Sequence, residues 1–174
     1  MALDTEYVAQ RLQCSRTDKQ ECLPVVQQLL DLAFFAREHG LVELDRYFHR
    51  DPLRFCDPFF KKAVSCLVDI GDYRVVEKVL QNYILSGNYS GHQFLKNMVI
   101  METVLAIHQR VDLDHIFSFL IPSLFGMDCE GEISAMYREY VRTHGFRLSA
   151  KDGSPLPPDG PEPAPGEPAP EPLP

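Results

Sequence analysis

His108, Asp112, Asp114 and His115 lie close together in the chain. Imidazole and carboxylate groups ligate divalent transition metals, so this set is the candidate for metal-dependent hydrolysis. Two features weigh against it. His108 and His115 straddle an expected helix break, and Asp112 is better used to cap the helix that follows. The order Asp114-His115 is also not the His-Asp pair typical of metal phosphohydrolases. No Ser-His-Asp arrangement, P-loop or glycine-rich nucleotide fingerprint accompanies it. The expectation is a chain without catalysis, metal or cofactor.

The second group surrounds Gly40: Arg37 and Glu38 before it, Glu43 and Asp45 after it. Arg37 and Asp45 read as a charge pair across two adjoining helices. Such a pair contributes about 0–1 kcal/mol on a free surface, whereas facing a partner it confers specificity. Glu102 stands inside the apolar run 98–107. Unpaired burial of a carboxylate is costly, so it is expected to face solvent or pair locally.

These side chains need helices to hold them. Residues 29–45 read as an amphipathic helix, a stop at Gly40 and a second helix starting at once. Leu29, Leu30, Ala33, Phe34, Arg37 and Leu41 recur three or four apart. Gly40 can adopt a left-handed helix-ending conformation, and Arg37 and His39 fall in the last turn, where cations suit the dipole. Asp57-Pro58 is an N-cap followed by proline at the first helical position. The helix beginning there is closed by Gly71. Asp72 caps the next, with Val75, Val76, Val79, Leu80 and Tyr83 as the expected buried stripe.

The helix over 92–110 is the longest and most central. A short helix after Asp112 is stopped by Pro122, and a last helix over 130–144 is ended by Gly145. Residues 2–13 form a short helix and 15–21 a polar loop. Sustained period-two alternation is absent, so no sheet is expected.

Composition bounds the function. The net charge of −8 argues against nucleic acid, which needs clustered Lys and Arg. The apolar runs fall short of the ~20 residues of a membrane span, so no membrane insertion is expected. Five cysteines without metal spacing or a secretory signal fit reduced thiols in the cytoplasm, as small core residues. From about residue 149 proline and glutamate dominate and little remains to bury, the composition of a disordered tail.

Three segments carry a resemblance. The corner Ala36-Arg37-Glu38-His39-Gly40-Leu41-Val42-Glu43-Leu44-Asp45 is similar to the cytoplasmic region of the MotA flagellar stator family (MotA/TolQ/ExbB). There an Ala/Ser-Arg pair precedes Gly and an apolar run ending in Leu-Glu. Asp57-Pro58-Phe59, followed by Val68-Asp69 and Gly71-Asp72, resembles the family's next segment. The run from Val99 to Gln109 resembles the one after its last membrane helix, with Thr103 in place of glycine and His108 in place of glutamine. The likeness covers residues 25–119, and the family's membrane helices have no counterpart in it.

The resemblance implies a stator-like cytoplasmic domain in which Arg37, Glu38, Glu43 and Asp45 face a flagellar switch or stator component. Gly40, Asp57, Pro58, Gly71 and Glu102 would be structural. The combined expectation is an all-α domain of about six to seven helices. Residues 1–22 would be an N-terminal helix and loop, 23–148 the helical domain and 149–174 the tail. The expected function is non-catalytic protein–protein interaction, with a generic cytosolic adaptor as the alternative.

Overall fold

Eleven of the thirteen residues from Phe94 to Ala106 avoid or nearly avoid water because one helix, α7 (Gly91–His108), is apolar nearly all round and is packed on most of its sides. A computed structural model describes the backbone of residues 5–50 and 57–149 and the side chains of 6–47 and 57–144. Among these residues the secondary structure is entirely helical, as expected. The helices are α1 (Thr5–Arg11), α2 (Arg16–Glu21), α3 (Leu23–His39), α4 (Leu41–Arg50), α5 (Pro58–Asp69) and α6 (Tyr73–Ser86) before α7. After it come α8 (Leu113–His115), a π-helical turn (Ile116–Leu120), α9 (Ile121–Phe125) and α10 (Glu130–Ser149). Around α7 pack α2, α3, α5, α6, the π turn and α9, while α10 closes over α3 and α9.

Local chemistry sets most helix starts. Asp57 Oδ1 accepts the Phe60 N–H at 2.9 Å, and Pro58 occupies the first turn of α5. Asp72 accepts from the Arg74 N–H at 2.9 Å, and Asp112 from the Asp114 N–H at 2.8 Å. The other oxygen of Asp57 meets Lys96 Nζ of α7 at 2.6 Å, so this cap also ties α5 to the central helix. Burial opposes ionisation of Asp57, but the Lys96 bond and the Phe60 and Phe59 amides outweigh it and hold the carboxyl below the usual aspartate range.

Several expectations need correction. The polar stretch 15–21 is the helix α2. Ser15 accepts the Asp18 N–H at 3.1 Å and donates its own N–H to Asp18 at 2.9 Å, a complete capping box. Pro122 does not stop the chain, because it lies in the first turn of α9 and a π turn leads into it. Gly145 does not end α10, which runs on to Ser149. The buried stripe of α6 is Val76, Leu80 and Ile84, with Val75 and Tyr83 exposed. That stripe repeats every four residues, and α7 selects it over the neighbouring face.

Gly71 does not close α5 by a left-handed turn. The helix already ends with Ile70 in extended backbone at φ −111°, and Gly71 has no positive φ. Cys22, Cys66 and Cys129 are buried free thiols, and Cys14 is a half-buried one. No helix among the described residues is long and apolar enough to cross a membrane. The expected tail beyond residue 149 and the fifth cysteine, Cys56, lie outside the described residues, as does Asp51-Pro52, where the sequence marks the end of the helix after Gly40.

Candidate functional site: the Gly40 corner and its cleft

The corner forms because α3 is sequestered nearly all round and must be followed at once by a differently directed helix. Val26, Leu29, Leu30 and Leu32 are fully buried, and so is Leu44 of α4. Gly40 sits between the two helices at φ +81° and ψ 170°, and its N–H bonds the Ala36 carbonyl at 2.9 Å. This backbone is more restrictive than the left-handed helical turn expected, because it belongs to a region open essentially only to glycine. A Cβ at position 40 would touch nothing within 4 Å, so the need for glycine here is conformational.

The open space beside Gly40 is a cleft of about 510 Å³ between the α3–α4 corner and the end of α7. Ala33, Ala36, Leu41, Ile107, Val111 and Leu113 supply its apolar wall, and Arg37, Arg110 and Asp112 its charges. His108 also lines it, but its Nε2 is 2.8 Å from the Ile70 carbonyl, so the ring joins α7 to the end of α5.

Arg37 does not pair with Asp45. Its guanidinium reaches toward Asp112 Oδ2 at 3.8 Å across the cleft, with both side chains nearly half exposed. Asp45 is half-buried and has an interaction of its own, so it does not project outward as expected. Glu43 is exposed and paired with Arg46 at 2.6 Å on the same helix, and Glu38 is half-buried with His39 3.6 Å away. Val42 stands 71% exposed at the tip of the corner.

Arg110 escaped the sequence reading. Its φ is +58°, the left-handed conformation of a helix C-terminus. Its N–H bonds the Ile107 carbonyl at 3.0 Å and the Val111 N–H bonds the Ala106 carbonyl at 3.0 Å, the paired bonds of a Schellman cap. Glycine is the usual residue there, and its absence from the sequence hid the motif.

The candidate metal set is dispersed. Asp112 caps α8 and faces Arg37, Asp114 accepts the Tyr137 hydroxyl, His108 faces Ile70 and His115 lies against the Phe119 ring. Burial, then the Asp114 contact, raises the Tyr137 phenol well above its ordinary value. Among the described residues the ligand atoms that do converge belong to Asp18, Glu21 and His92, within 4.8 Å of one another. Asp18 is already engaged by Ser15 in the α2 cap, and those bonds lower its pKa.

Glu102 has no local pair, and its carboxylate oxygens keep some contact with solvent, the first of the two expected situations. It is half-buried on α7, and among the described residues no hydrogen bond or ion pair holds it. Burial pushes its carboxyl above the usual glutamate range, and the Glu77 carboxylate pushes it the same way.

In comparisons with known proteins, no family model, no curated protein and no solved structure matches the chain.

Proposed function

We propose that the chain is a non-catalytic protein–protein interaction domain whose docking surface is the Gly40 corner, and that it works with the flagellar motor. The observation that supports docking is the composition of that corner. Exposed Val42 lies between exposed Arg37 and Glu43 along the chain, at a turn whose backbone conformation is open essentially only to glycine. An apolar tip ringed by charges of both signs suits a partner that reads shape and charge together. The flagellar setting rests on the resemblance of three ordered segments to the stator's cytoplasmic region.

A second reading, a helical adaptor unrelated to motility, has its own support. A corner with the same backbone recurs at Gly126, φ +86° and ψ 170°, outside the segment that carries the resemblance. A helix ended by glycine in this backbone therefore arises in this chain without the family pattern.

The experiment is capture of a purified flagellar switch or stator component by the wild type and by Arg37→Glu and Glu43→Lys. Both side chains are exposed and their present partners are loose or local, so the fold should survive. Charge reversal in a desolvated interface costs about 2–5 kcal/mol, against under ~0.5 on a free surface. The expected outcome is loss of capture with helicity unchanged by circular dichroism. Capture by both variants at the wild-type level would refute the corner as the docking surface. Failure of the wild type to capture any motor component would favour the adaptor reading.

A further inference from the structure

We infer that the cleft behind the corner receives one acidic–aliphatic segment of a partner protein, its carboxylate on Arg110 and Arg37 and its aliphatic neighbours on the apolar wall. This deepens the docking reading above and rests on it.

The first observation is the cleft's size and lining. About 510 Å³ falls within the range of formed ligand sites, and the wall from Ala33, Ala36, Ile107 and Leu113 suits methyl groups. The second is its charge. Two arginines face a single carboxylate, Asp112, in a chain whose net charge is −8. Neither guanidinium is satisfied by the fold. Arg37 is 3.8 Å from Asp112, well beyond the roughly 2.7–2.9 Å of a charge-assisted hydrogen bond. Among the described residues, no hydrogen bond or ion pair engages Arg110.

The third observation is backbone strain. Arg110 holds a left-handed φ of +58° at a helix cap where glycine would be unstrained. A bulky cation at this position meets a backbone cost that no hydrogen bond or ion pair among the described residues offsets. Strain retained without an internal return marks side chains that act on something outside the chain.

The occupant follows from these features. A carboxylate can take parallel N–H bonds from a guanidinium fork, and Arg37 can bridge it to Asp112. A polyanion such as nucleic acid is disfavoured because the surrounding chain is acidic.

The test uses the full chain and a blocked leucyl-aspartyl-leucine tripeptide. Titration is followed by calorimetry and by the side-chain Nε–H signals of Arg37 and Arg110. The expected result is saturable binding that shifts both signals and weakens about tenfold in Arg110→Gly, which melts higher than the wild type. A more stable variant that binds less well separates docking from folding. Replacing the peptide's aspartate by asparagine should weaken binding to a similar degree.

Equal affinity in wild type and Arg110→Gly, or no saturation by the wild type, would overturn the inference. A single-stranded oligonucleotide or inorganic phosphate shifting the two signals more strongly than the peptide would also overturn it. Peptide binding needs no flagellar component. Loss of motor capture with peptide binding intact would remove only the flagellar setting, and capture without peptide binding would remove only the cleft.

Discussion

The corners at Gly40 and Gly126 have nearly the same backbone and opposite surroundings. Each glycine has φ above +80° and ψ 170°, and each donates its N–H at 2.9 Å to the carbonyl four residues back, Ala36 in one case and Pro122 in the other. At Gly126 the turn is sealed. Lys19 Nζ bonds Asp128 Oδ1 at 2.8 Å, and a Cβ on Gly126 would lie 3.3 Å from that oxygen and 3.5 Å from that nitrogen. At Gly40 the same space is empty and opens on the cleft. The ion pairs differ likewise. Lys19 is mostly buried and tightly bonded, whereas Arg37 is half exposed and 3.8 Å from Asp112. One backbone device thus has two surroundings: at one corner it locks α2 to the start of α10, and at the other it borders an open cleft.

The largest effect is expected at the sealed corner. Gly126→Ala meets backbone strain and also crowds Asp128 Oδ1, which must shift slightly against its bond to Lys19, so urea unfolding should show a loss of about 2–3 kcal/mol. Gly40→Ala meets strain alone and should lose about 1–2 kcal/mol. Equal losses at the two positions would mean that the ion pair yields without penalty and that the corners do not differ energetically.

Arg110→Gly tests a positive-φ position that is not a glycine, beside the open corner. Relief of left-handed strain should raise stability by about 1 kcal/mol in the same assay. A loss would show that the arginine side chain supports the fold, and the contrast between a sealed and an open corner would weaken.

Gly71→Ala is the control. Its φ is not positive and a Cβ there meets nothing within 4 Å, so the change should lie within about 0.5 kcal/mol of neutral, on the stabilising side. A loss matching that at Gly40 would show that glycine is needed between these helices whatever its φ.

The smallest effect is a titration. The Lys19 hydrogen bond, against weak desolvation, holds the Asp128 carboxyl below the usual aspartate range. The pair's contribution to stability is therefore present above that range and is lost as the pH falls through the lowered folded value. By NMR, Asp128 should titrate below an ordinary aspartate and return toward it in Lys19→Met. An unshifted Asp128 in the wild type would show that the sealed corner is open in solution.

Glycine alone did not distinguish these positions in the sequence. Gly40 could be read as a helix stop because it follows an apolar periodic stretch with Arg37 and His39 in its last turn. Gly71 also follows an apolar periodic stretch, though one with no cation in its last turn, and proved to need no special backbone. The capping box of α2 was legible as Ser15 followed three residues later by Asp18, with the acceptor one methylene shorter than the usual glutamate. The Schellman cap at Arg110 carried no signal, because its geometry is a property of two backbone hydrogen bonds and not of residue type.

The sequence by itself determined the all-helical class, the caps at Asp57, Asp72 and Asp112, the central place of α7 and the turn at Gly40. Each depends on local φ/ψ preference, on a side chain reaching a nearby amide, or on apolar spacing within one helix. Only the tertiary structure decided that Arg37 turns to Asp112 instead of Asp45, that His108 is engaged by Ile70, and that Glu102 is half-buried without a partner. It also decided which of two apolar faces of α6 is buried. These outcomes depend on how helices distant in sequence pack around α7, and that packing places side chains together whose spacing along the chain gives no sign of it.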